Sequence, residues 1–581
     1  MYQLTTRTRS LWLLIALFLN ACTAEPNHPS ADQVFTHGVI YTVDKQQPWA
    51  EGLAIVGDNI AYVGTTAGLQ SWIGPATRIT NLQGRFLLPG FVDSHSHIFL
   101  GAAHIDDLLL DQFDPVETWL KEIGEFARLN PHRDVIVGSG FLASSFGHEG
   151  PSRHLIDSVV PDRPVFIMDE GMHGAWLNSA ALKQLGINAS TPDPTPGFDY
   201  YKRDAQGNPT GYLLEGTLWQ AMKDLNLVNV DSLTENTAEV IQLFNSYGIT
   251  AVFDAGPWEA EEIQVDILES LQTNDQLSIR FAGSYYIDDA ADIDTVIGKV
   301  KALQQRTQGT PYPVSTLKIM VDGTLEGRTA AMFEDYQGDP GNQGTSVLTP
   351  EQLSFLVSEA VTKDLDIHFH ALGERAISES LDAIGVARSH YPESTSRFTL
   401  SHIQLMARSD VARFSRYKVV AQSTPLWAKH DAEGRVFITE DQFNRYYLFN
   451  SLDKAGVKLS FGSDFPSTGA GNLGISPLYN IEIGHTRQYP GRPEAPIQPP
   501  MEERLTIAQL IEAYTINGAY QMRLDDQIGS ITPGKKADLV LLAENPFTTE
   551  TYSLHKIPVL QTWVGGKTVY LHPGEQRSFV R

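Results

Sequence analysis

His95-Ser96-His97 places two histidines one residue apart, and in an extended chain that spacing turns both imidazoles to the same face. Farther along, His370, His402 and Asp464 each close another short apolar run, and Lys318 lies inside a further one. Imidazole nitrogens and carboxylate oxygens are the ligands that zinc and similar divalent ions take from proteins. A single His-x-His is commonplace. Two histidines at the end of one run, with His370, His402 and Asp464 at the ends of three others, form a constellation suited to holding a divalent cation.

Such a constellation needs strands that converge. Eight apolar, β-branched runs supply them: 91–97, 251–254, 280–286, 317–322, 366–370, 399–402, 419–423 and 458–464. With helical stretches between them, these runs predict an α/β protein built on a (β/α)8 TIM-like barrel, whose chemistry belongs at the C-terminal ends of the strands. The gap after the first run, residues 101–243, reads as an insertion with strand-like pieces of its own at 134–141 and 164–169. Short apolar runs broken by turn residues at both ends of the chain predict hairpins. We assign residues 33–87 plus 519–575 to one small β-sandwich domain and 88–518 to the barrel.

Cys22 is the only cysteine of 581 residues. Arg7 and Arg9, the apolar stretch Leu11 to Leu19 and the small residue Ala21 precede it, which is the layout of a lipoprotein signal peptide over 1–21. The apolar stretch is too short to span a bilayer. The expectation is an exported protein held to a membrane by a lipid on Cys22, in the periplasm or at the cell surface, with 22–32 as a linker. The formal net charge of −26 becomes two units more negative without Arg7 and Arg9. Nucleic acid is therefore not an expected partner.

The chain resembles the amidohydrolase superfamily, specifically the amidohydrolase 3 group of YtcJ-like proteins and N-substituted formamide deformylases. The likeness rests on Leu88-Pro89-Gly90-Phe91-Val92-Asp93-Ser94-His95-Ser96-His97, on Asp322-Gly323-Thr324 with Arg328-Thr329-Ala330, and on His370-Ala371-Leu372-Gly373-Glu374-Arg375-Ala376. Gly462-Ser463-Asp464-Phe465-Pro466 and Gly529-Ser530-Ile531-Thr532-Pro533-Gly534-Lys535-Lys536-Ala537-Asp538-Leu539 add to it. The resemblance implies one or two divalent ions, zinc first. His95 and His97 would hold one ion and His370 and His402 the other, with Asp464 completing the set and Lys318 bridging as a carbamate formed with carbon dioxide. His368 and His370 share a strand face, and the resemblance selects His370.

It also implies hydrolysis of a C-N bond in a small non-peptide amide or N-formyl compound by metal-bound hydroxide, with Asp464 as the catalytic acid and base, and a homodimer. His173 and Glu215 match group motifs and are expected to face the substrate. Two positions depart from the group: Glu326 stands where a small residue is common, and Ser401-His402-Ile403-Gln404 lacks the usual Glu before and Ala after the histidine. Both departures leave the substrate open. Two alternatives stand beside this reading: a catalytically inert ligand-binding lipoprotein on the same scaffold, and hydrolysis of a cyclic amide, lactone or other ester.

Overall fold

The computed structural model describes residues 29–575 except 113, 257–260, 432–433 and 469–470; Cys22 and the expected signal peptide lie outside the described residues. Eight parallel strands stand side by side in sequence order: β1 (Phe91–Ser96), β2 (Ile249–Asp254), β3 (Arg280–Ile287), β4 (Val314–Met320), β5 (Asp366–Ala371), β6 (Phe398–His402), β7 (Val419–Ser423) and β8 (Leu459–Phe461). All eight coincide with the runs read from the sequence. Buried on both faces, such strands carry near-continuous apolar stretches, which is why the sequence announces them.

The seam between β8 and β1 closes just beyond the regular ladders. Asp464 N donates to His95 O at 2.8 Å, and His97 N donates to Phe465 O at 2.7 Å. Asp93 Oδ1 accepts from Ser463 N at 3.0 Å and so ties the two strands together from below. Gly462 is required here, because a Cβ at that position would stand 2.4 Å from His95 N. The helices around the barrel carry ordinary start signals. Pro350–Thr362, between β4 and β5, opens with a Thr349–Gln352 capping box and proline at its first turn, and it buries Leu353, Leu356, Val357, Ala360 and Val361.

Between β1 and β2 an inserted six-stranded sheet runs in the order Tyr200–Arg203, Pro209–Leu214, Gly174–Leu177, Val165–Asp169, Ile136–Phe141, Leu108–Leu109. Alternation along Val165–Asp169 sends Phe166 and Met168 into one apolar cluster and Val165 and Ile167 into another, so both faces are covered. The expected end of the insertion at 243 is too late. Helix Val230–Ser246 places Leu233, Val240, Ile241 and Phe244 in the main barrel core, whereas the inserted clusters extend only to Leu225 and Leu227. An amphipathic helix does not reveal in its sequence which layer it will cover.

The chain ends meet in a second six-stranded sheet, where Phe86–Pro89 pairs antiparallel with Leu539–Leu542. A four-stranded sheet from the N-terminal part packs over it through Phe35, Leu53 and Ile55 against Ile40, Leu87 and Leu541, with Phe35 and Trp563 edge to face at 5.1 Å. The lower boundary at 519 also moves. Helix Ile516–Gln521 lies on β1, where Gln521 Nε2 donates to Ser94 O at 2.7 Å, and so belongs with the barrel.

Candidate metal centre

Strand register stacks the polar side chains in layers. Lys318 lies opposite His368, Met320 opposite His370, and Ala371 opposite His402. His368 therefore sits one layer below His370, where its ring stacks on Phe253 at 4.8 Å and its Nε2 meets His95 Nδ1 at 3.0 Å. That contact engages one nitrogen of His95 and turns the other, Nε2, toward Asp464 Oδ1 at 3.3 Å and Lys318 Nζ at 3.4 Å. His97 Nδ1 donates to Gly256 O at 3.2 Å, which leaves its Nε2 lone pair 3.4 Å from the same Asp464 oxygen. His402 lies 4.7 Å from His95 and 4.5 Å from His370, ring centre to ring centre, and its Nδ1 stands 3.9 Å from Asp464 Oδ2. The structure thus brings His95, His97, Lys318, His370, His402 and Asp464 into one cluster.

Electrostatics keep the cluster ready for a cation. Burial holds the His95, His370 and His402 imidazoles well below their usual range, and the neighbouring Lys318 adds to this at each of them. Neutral imidazoles keep a lone pair for a ligand. Burial also pushes Lys318 down to about 7, with Asp464 pulling the other way. His402 Nε2, His370 Nδ1 and Asp464 Oδ1 are buried without a hydrogen-bonding partner among the described residues. A carboxylate oxygen held beside two imidazole lone pairs is costly unless a cation lies among them.

His95, His97 and Asp464 have ligand atoms that all lie within 4.8 Å of one another. Ligands about 2.0–2.1 Å from a tetrahedral zinc stand about 3.3–3.4 Å apart, and the Asp464 contacts to His95 and His97 measure 3.3 and 3.4 Å. The residues fit a divalent ion. Asp464 and His402 also hold left-handed backbone angles, φ 55° and 70°, a conformation that side-chain-bearing residues keep only where the surroundings impose it.

His173 and Glu215, both from the insertion, form one edge of this cluster. His173 Nδ1 and Glu215 Oε2 are 2.7 Å apart, Thr329 Oγ1 donates to Glu215 Oε1 at 2.5 Å, and the His173 ring lies 5.2 Å from that of His370. Burial pulls the His173 imidazole down, but Glu215 and Asp169 outweigh it and raise it to about 9. A histidine raised above its unfolded value stabilises the fold fully below about pH 6.5, and that contribution is lost as pH rises through about 9. The unfolding free energy of the metal-free protein is expected to fall across that window by about 3 kcal/mol, read as a lower unfolding midpoint. Glu215→Gln should flatten the fall; an unchanged slope would show that the pair does not carry it.

Asp322 belongs to a motif quoted above but was given no role there. Its buried carboxylate accepts backbone N–H groups from Ala331 at 2.8 Å, Leu372 at 3.0 Å and Gly373 at 2.9 Å. It thereby ties the turn after β4 to the turn after His370, and its Oδ1 stands 3.9 Å from His370 Nδ1. The motif marks the residue but not this role, because its partners are main-chain groups. His104 pairs with Asp107 at 2.7 Å, and Trp176 is fully buried, donating to Ser152 O at 3.0 Å; both are structural. A cavity of about 130 Å³ opens over His370, His402 and Asp464, with His173 and Trp427 on its wall.

The amidohydrolase family matches residues 78–570. The chain belongs to that family. This amidohydrolase is 29% identical to the protein LONG AFTER FAR-RED 3 of Arabidopsis thaliana, with 93% of this chain and 92% of that one covered. It is 25% identical to the N-substituted formamide deformylase of Arthrobacter pascens, with 94% and 99% covered. An uncharacterised metal-dependent hydrolase from Pyrococcus horikoshii has the same fold, with a TM-score of 0.68 at 22% identity over 89% of this amidohydrolase and 99% of that chain.

Proposed function

We propose that this amidohydrolase cleaves the C-N bond of a small non-peptide amide, an N-formyl or N-acyl amine, with the help of one or two divalent ions. The observation that carries the reading is the cluster of neutral imidazoles around the unpartnered Asp464 oxygen at the floor of the cavity. A divalent ion held by His95, His97 and Asp464, with a second at His370 and His402, would acidify a water from about 15.7 to about 7 and polarise the carbonyl oxygen. Asp464 has the remaining proton work. It takes the proton of the attacking water as the new C-O bond forms, then delivers it to the nitrogen as the C-N bond breaks, so that acid and amine leave with protons balanced. His173, oriented by Glu215, presents its other ring nitrogen as a donor to the carbonyl oxygen as charge develops there.

The unprotonated Lys318 amine, favoured by burial, can add to carbon dioxide and release a proton, which converts a repulsive ammonium into an anionic oxygen ligand beside His95. The deciding experiment measures metal per chain by elemental analysis, together with amine release from a panel of N-formyl and N-acyl amines. One or two zinc-like ions with chelator-sensitive release is the expected result. No bound metal, and no release after supply of zinc, manganese or cobalt with bicarbonate, would overturn it in favour of an inert binding protein.

A further inference from the structure

Glu326, a position at which the sequence departs from its group, meets Gln404 in space. Gln404 Nε2 donates to Glu326 Oε1 at 3.0 Å, and both residues line the cavity over the metal centre. Glu170 and Asp431 line the same cavity. Besides Asp464 and His173 at its floor and wall, three carboxylates stand there with one lysine, Lys429, whose Nζ bonds Leu426 O at 2.9 Å and lies 5.5 Å from the Tyr489 ring.

Two further observations point to an occupant. Glu170 Oε2 is shielded from solvent without a partner, and so is the hydroxyl of Tyr447, a cavity-wall residue only 1% exposed. Tyr447 is held rigidly: its N–H donates to Gln404 O at 3.0 Å, and its carbonyl accepts from the buried Arg487 at 3.1 Å. Acceptors and a hydroxyl fixed without partners in a cavity are arranged for a donor that arrives from outside. Burial and the mutual repulsion of these acids also raise Glu170 and Glu326 above the usual carboxylate range, a cost that an incoming positive charge would relieve.

The carboxylates do not converge as metal ligands do. Among the described residues only His95, His97 and Asp464 bring three ligand atoms within 4.8 Å of one another. An acidic wall without a focal point suits an extended organic cation, whose several N–H groups spread over more than one acceptor.

We propose that Glu326, held by Gln404 and joined by Glu170 on the cavity wall, selects substrates carrying a cationic ammonium or guanidinium group. This rests on the hydrolase reading for the reaction, but not for the binding.

The test separates the two. Binding of n-propylguanidinium and of its neutral isostere n-propylurea is measured by calorimetry on the metal-loaded protein, wild type, Glu326→Gln and Glu170→Gln, with unfolding midpoints as a fold control. Hydrolysis of an N-formyl ω-guanidinoalkylamine and of its urea counterpart is followed alongside. The expected result is a wild-type preference for the cation of at least about tenfold in affinity and in kcat/KM, with the preference falling toward unity in either variant. Equal binding of cation and urea by the wild type would overturn the proposal, as would a preference that survives both substitutions. Amide hydrolysis without charge preference would sink the cationic subsite alone; charge-selective binding without any hydrolysis would sink the hydrolase reading and keep the subsite.

Discussion

Asp464→Asn is expected to lower turnover by about 10²- to 10⁴-fold with little change in the fold. The side chain lies within 3.4 Å of both His95 and His97, and its backbone N–H is bound to His95 O, so the residue is placed by β1 as much as by its own loop. Asparagine keeps the shape and the main-chain bond. It cannot take the proton of the attacking water or return it to the departing nitrogen, and it offers no charge to a cation. Measuring kcat at saturating zinc isolates the proton function from weakened metal binding, and the unfolding midpoint confirms the fold. Near-normal turnover in a fully loaded variant would remove Asp464 as the acid and base.

The second large effect concerns Lys318 and joins function to stability. Lys318 is 2% exposed, and burial brings its ammonium down to about 7. A lysine depressed in the folded state destabilises the fold wherever the unfolded chain would be protonated; the penalty grows as pH falls from about 10.5 and levels off below about 7. Lys318→Met keeps most of the volume and removes that penalty. At pH 7 the metal-free variant is therefore expected to be more stable than the metal-free wild type, by a few kcal/mol at most. It should also lose the proposed carbamate ligand, hold one ion or none, and fall about 10²-fold or more in turnover, as loss of a metal ligand's support does. Reconstitution of metal-free protein reads this directly: bicarbonate should promote metal uptake by the wild type and not by the variant. A variant that kept two ions and the same response to bicarbonate would dispose of the bridging lysine.

Much of this site was legible in one dimension because parallel strands buried on both faces are written as short apolar runs, and ligands at their ends are polar residues in fixed positions. His95 and His97 share a face through alternation alone. His368 was separable from His370 only through the motif that follows His370, and its contact with His95 Nδ1 depends on the curvature of the barrel. The motif contains Asp322 but not its role, because three main-chain N–H groups, from two distant turns, define that role. The end of the insertion was misplaced because helix Val230–Ser246 has an amphipathic pattern that would serve either layer.

By itself the sequence determined the eight strands, the candidate ligand residues at their ends and the joining of both chain ends in β-structure, since each is a matter of local pattern and residue type. Only the tertiary structure decided which nitrogen of each histidine is left for a ligand, that an inserted sheet delivers His173 and Glu215 to the barrel mouth, and that Glu326 and Gln404 form one pair. Those outcomes depend on side chains meeting across 40 to 80 residues or more of chain, and neither periodicity nor composition encodes a distance.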